Sequence, residues 1–150
     1  MHKTLIFTVF WALIMVFLII LSAILIPSFR GLVRGPLFGL IIGLTFFLLG
    51  LLLVIFTLKE KRIEGKLKRF LLLTGGSATS FFISVLLHNL FYGLEVMSSS
   101  IKPLSYLMVI FHTTFFIIAV FICPITFLIG LVEAIFFARN AKLKTKHEKD

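Results

Sequence analysis

The sequence predicts an all-helical, polytopic membrane protein: a bundle of four transmembrane helices with both termini in the cytoplasm. Three observations predict it. Charge-free runs cover Thr4–Phe29, Gly35–Leu58, Phe70–Leu94 and Pro103–Val132. Each is longer than the roughly 18 residues that carry a helix across a hydrocarbon core of about 30 Å. The composition agrees, with 60% hydrophobic and 14% charged residues and a mean hydropathy of +1.17, where a soluble domain is about a quarter charged. The charges are also asymmetric. Lys59–Arg69 and Arg139–Asp150 carry eleven of the 15 lysines and arginines, and with four crossings both lie on the side of Lys3. Arg30, Arg34 and Lys102 are left for the opposite side. Cytoplasmic segments are enriched in Lys and Arg, so the basic face is read as cytoplasmic.

The spans are expected at about 5–26, 36–58, 70–93 and 104–132, joined by a basic link at 59–69 and followed by a basic tail at 139–150, all in one domain of residues 1–150. A β-barrel is excluded because its strands alternate over about 10 residues, whereas these runs are apolar on nearly every face. The first span has an N-terminal lysine but an apolar run too long for a cleaved signal, and is read as retained. Trp11 lies near its cytoplasmic end, suited to anchoring at the interface.

Span two opens on Pro36, whose fixed φ and missing N–H suit a first helical position. Gly35, Gly39 and Gly43 recur every four residues and Gly50 follows seven later. Such a face lets two backbones approach closely in lipid, and a partner within the same chain is favoured. The basic link is expected to continue span two for about a turn, with Gly65 as its stop.

Span three, with the turn after it, carries a dense set of polar residues: Thr74, Ser77, Thr79, Ser80, Ser84, His88, Asn89 and Tyr92. At 100° per residue, Ser77, Ser80, Ser84 and His88 fall within about 80° of one another, with Glu95 on the same stripe. A polar stripe on a membrane helix faces protein or water. The Gly75-Gly76 pair is expected to mark a bend or a close approach. Ser98, Ser99 and Ser100 read as a flexible turn. Span four is longer than the hydrocarbon requires, so it is expected to bend at Pro124 or to run on into the cytoplasm. Along it Ser105, His112, Ala119, Thr126 and Glu133 are spaced by seven, a small and polar seam suited to left-handed packing on another helix. Glu133 is expected to pair with Arg139 at the interface.

In an antiparallel hairpin of spans three and four, His88 and His112 come to similar depth near the turn. The plainest reading is that both are satisfied polar residues that hydrogen-bond across the hairpin and hold its register. Two imidazoles on facing helices also suit axial ligation of a haem b, or a metal ion. A third reading is a polar ligand or a proton pathway. The candidate site is therefore Ser77, Ser80, Ser84, His88, Asn89, Tyr92 and His112, with His88 and His112 the metal candidates. No catalytic residues are assigned: the sequence has no paired-carboxylate site, no phosphate-cradling glycine loop, no CxxC and no HExxH. A Ser84–His88 nucleophile lacks an accompanying acid. Cys123, the only cysteine, is expected to pack as a small apolar side chain.

The expected function is that of a non-catalytic, multi-pass subunit for packing, assembly or ligand binding. The rivals are a haem- or metal-binding redox subunit and a small oligomeric transporter with a polar path along span three. Expected partners are a bilayer with anionic headgroups at the cytoplasmic face, and a homo-oligomer or larger membrane complex. Nucleic acid is not expected, since four spans and short links leave no soluble module to read a groove. The compact, Phe-, Ile- and Lys-rich chain points to a prokaryotic plasma membrane.

Overall fold

The computed structural model describes residues 2–26, 36–61, 63 and 65–147. Gly35 lies outside them, as do Arg30 and Arg34. The described chain is helical and contains no strand. Its elements are α1 (His2–Leu25), α2 (Pro36–Lys59), α3 (Gly65–Met97), α4 (Lys102–Ile117), a π-helical turn (Ile118–Ile122) and α5 (Cys123–His147). The last three form one continuous rod, so the described chain makes four rods long and apolar enough to span a membrane.

Continuous apolarity explains the helices. A helix satisfies all of its interior backbone groups within one segment, which a chain of this hydropathy must do wherever water is absent. The hydroxyls follow the same rule. Thr8, Thr45, Thr79 and Thr114 each donate to the carbonyl four residues earlier, at 2.7–3.0 Å.

Three local expectations are corrected. The helix of span two ends at Lys59 and does not run a turn into the basic link. Gly65 is not its stop: at φ +64° it opens α3, in the left-handed region that a residue without Cβ enters at little cost. α3 therefore takes up the second half of the link, and its 33 residues span about 50 Å. The serine turn is also more ordered than its composition suggests. Ser98 is buried, its Oγ donates to the Leu94 carbonyl at 2.7 Å, and α4 begins at Lys102.

α3 is the central rod. It packs closely on α2, α4 and α5, while α1 packs chiefly on α2. Small residues set these approaches. A Cβ added at Gly50 would lie 2.8 Å from both Ala78 Cβ and the Gly75 carbonyl oxygen. One at Gly130 would lie 2.6 Å from Thr74 Oγ1 and 2.9 Å from its amide nitrogen. Gly75 is thus a close approach of backbones, whereas a Cβ at Gly76 would meet nothing. On the rest of the span-two glycine face, a Cβ at Gly43 would lie 3.0 Å from the Phe82 ring and one at Gly39 would meet open space.

Aromatic side chains fill the centre. Phe127 of α5 meets Phe17 of α1 at 4.6 Å and Phe46 of α2 at 5.4 Å between ring centroids, and Phe46 meets Phe81 of α3 edge-on at 6.1 Å. All four rods contribute to that cluster.

The π turn has a covalent cause beside it. Pro124 has no N–H for the Val120 carbonyl, and its ring crowds that oxygen. The chain responds one residue earlier: the Cys123 N–H reaches the Ile118 carbonyl, an i→i−5 bond that widens the turn. The step from Ala119 to Cys123, both buried, crosses this turn. In an unbroken α-helix each step of four would turn the face by about 40°.

Candidate functional site

Polar side chains converge where α3 and α4 approach their connecting turn. The antiparallel hairpin puts His88 opposite His112. Their rings meet edge to face with centroids 5.5 Å apart. His88 Nδ1 lies 2.9 Å from the His112 backbone oxygen. A carbonyl only accepts, so Nδ1 carries the proton and donates, and Nε2 is left as the other ring nitrogen. Phe116 flanks the His88 ring at 5.4 Å and Tyr92 stands edge-on to His112 at 5.7 Å.

Glu95 completes the group from the last turns of α3. Its Oε2 lies 2.8 Å from His112 Nδ1. Both atoms are buried, and among the described residues neither has a hydrogen-bond partner. Glu95 lay on the span-three stripe in the sequence, but its contact with His112 depends on a turn short enough to bring α4 back beside it.

The other candidates divide by face. Ser77 is buried and bridges to the opposite rod, its Oγ 2.8 Å from Thr126 Oγ1. Ser77 Oγ also reaches the Leu73 carbonyl at 2.7 Å, and Thr126 Oγ1 the Ile122 carbonyl at 2.8 Å. Each hydroxyl has one proton, so one of the two donates to the other. Ser84 is buried, and among the described residues it makes no hydrogen bond to His88. Ser80 is exposed. Asn89 is exposed and donates to the Val85 carbonyl within its own helix at 2.8 Å. The seam of the last rod meets α3 along its length, through His112 with His88, Thr126 with Ser77 and Gly130 with Thr74.

Glu133 and Arg139 do not form the expected ion pair among the described residues. Six residues on one helix lie about 120° apart around its axis, so the two side chains leave on different faces. Cys123 is buried beside the aromatic centre. Among the described residues no three His, Cys, Asp or Glu side chains gather as a metal-ligand set. The arrangement can offer an imidazole nitrogen, a carboxylate and a phenol to a polar group arriving from the turn. Comparison with family models, with curated proteins and with solved structures returns no match.

Proposed function

We propose that this chain is a four-span integral membrane subunit with cytoplasmic termini, and that it works by binding and assembly, not by catalysis. In this reading the α3–α4 turn faces outward, and the polar end of the hairpin is its recognition surface. The observation that carries the reading is the meeting of Glu95, His112, His88 and Tyr92 at that end. Glu95 Oε2 and His112 Nδ1 lie 2.8 Å apart there, and the Tyr92 side chain is 54% exposed. Polar groups at such a depth are costly in lipid unless they meet protein, water or a partner. Lower down, the Ser77–Thr126 bridge closes the polar stripe against the opposite rod, which favours a hairpin clasp over an open path along span three.

A haem held by both imidazoles would need them on opposite faces of a flat macrocycle. Their edge-to-face contact and the bond from His88 to the His112 carbonyl favour the clasp instead.

Purification in mild detergent tests the reading. Wild type is expected to retain a co-purifying protein or polar small molecule that Glu95→Gln and His112→Ala release, with helicity unchanged by circular dichroism. Identical co-purification in all three would remove the turn end as the recognition surface. A Soret band in wild type that His88→Ala abolishes would replace this reading with the haem one.

A further inference from the structure

The seam between α1 and α5 differs from the close backbone contacts that α3 makes with its neighbours. α1 approaches α2 along its backbone but meets α5 mainly through side chains. Two cavities open along it, of about 530 Å³ and about 320 Å³. The larger lies at the basic end, between Thr4, Phe7 and Trp11 on α1 and Ile135 and Arg139 on α5. The smaller lies deeper, between Phe17 and Leu21 on α1 and Val120, Pro124 and Leu128 on the opposite rod. Phe10 lines the larger and Phe127 the smaller, and between the two cavities the interior is closed by Leu13 and Ala134, 0% and 1% exposed.

The seam is amphiphilic along its length. Its deep part is lined almost wholly by apolar side chains. Its mouth holds the guanidinium of Arg139, the hydroxyl of Thr4 and the indole N–H of Trp11, all hydrogen-bond donors. Arg139 is exposed, and no carboxylate pairs with it among the described residues. It belongs to the strongly basic face of the chain. A fork of N–H donors of this kind recognises phosphate oxygens.

The length agrees. From Arg139 back to Pro124 the helix rises about 22 Å. One leaflet with its headgroups is half of about 40–45 Å. With Arg139 at the phosphate level, the cavity at Pro124 therefore lies at the bilayer midplane, where an acyl chain ends.

We propose that the α1–α5 seam binds one anionic phospholipid of the cytoplasmic leaflet. Its phosphate sits on Arg139 beside Trp11, and one acyl chain lies along the outside of the seam and ends in the cavity at Pro124. The proposal rests on the membrane topology proposed above. The π turn has a part in it, because Pro124 and Val120 wall the deep cavity.

Trp11 is the only tryptophan in the chain and lines the mouth, so it reports occupancy directly. The full-length protein is reconstituted into vesicles doped with either bromine-labelled phosphatidylglycerol or bromine-labelled phosphatidylcholine, and quenching of Trp11 is titrated. Wild type is expected to prefer the anionic lipid about fivefold, the size of one basic side chain at an anionic surface. Arg139→Gln is expected to lose the preference. Lys61→Gln, an exposed link residue on the same face, is expected to keep it. Equal quenching by both lipids in wild type would overturn the site while leaving the membrane reading intact. A preference that survives Arg139→Gln would assign it to the general basic field and overturn the site as well. Weak quenching by both lipids that grows on dilution into excess lipid would put a second copy of the chain in the seam instead. Failure to reconstitute, with no quenching at any lipid ratio, would overturn the membrane reading itself.

Discussion

Two threonines of the bundle show how the same residue type takes opposite energetic signs. Thr126 Oγ1 bonds across the helix interface to Ser77 at 2.8 Å. Thr57 on α2 is fully buried, yet its Oγ1 has no partner among the described residues. A buried hydroxyl without a partner carries its desolvation cost uncompensated, and an apolar group of the same shape removes that cost. Thr57→Val is therefore expected to leave stability unchanged or raise it by up to about 1 kcal/mol. Thr126→Val is expected to lower it by about 0.6 kcal/mol, the mean for interhelical side-chain bonds in membranes. Reversible unfolding in mixed dodecyl maltoside and SDS micelles measures both, and the opposite order would show that the hydroxyl bridge is not a net stabiliser. No residue pattern distinguishes these threonines. Both sit in apolar runs, and only the neighbour across the interface separates them.

At the scale of the element, Pro124 decides how the last rod meets α3. The wider π turn lets Ala119 and Cys123 stay on one face while His112 remains opposite His88 and Thr126 opposite Ser77. In Pro124→Ala the restored N–H permits a regular α turn. Closing the π turn would rotate one half of the rod by about 100° relative to the other. Disulfide capture between Ser77→Cys and Thr126→Cys, on a Cys123→Ala background, is expected to be efficient with Pro124 in place and to fall when Pro124→Ala is added. Undiminished capture, together with an unchanged His88–His112 contact, would show that packing on α3 holds the π turn without proline. A bend at Pro124 is legible in the sequence, because proline cannot donate. The form of the irregularity is not, because a kink and a π turn both satisfy the missing bond. The same division holds for the glycines. The four-residue spacing singles out Gly39 and Gly43, yet it is at Gly50 and Gly75 that an added Cβ would meet the facing backbone, since helix crossing geometry selects which small residues meet.

For the whole molecule the organising facts are charge asymmetry and the centrality of α3. The basic face and the short turn at Ser98 make a definite topological prediction. A cysteine at Ser99, exposed in the α3–α4 turn, is expected to react with an impermeant maleimide from outside intact cells. One at Lys61, exposed in the basic link, is expected to react only after lysis. The reverse pattern would invert the proposed orientation, and with it the leaflet assigned to the lipid at Arg139.

Helix type, number and approximate extent were determined by the sequence alone. Long apolar runs have one economical way to satisfy their backbone groups, and charge marks where each run stops. The similar depth of His88 and His112 followed as well, because a short turn forces an antiparallel neighbour. The tertiary structure decided what depends on which rods are adjacent and how they are rotated. It brought Glu95 onto His112 and left the seam between α1 and α5 open. Hydropathy that is nearly uniform around a helix carries no record of its neighbours. In these rods the choice falls to small residues, single hydroxyls and one proline, whose effects appear only when two surfaces meet.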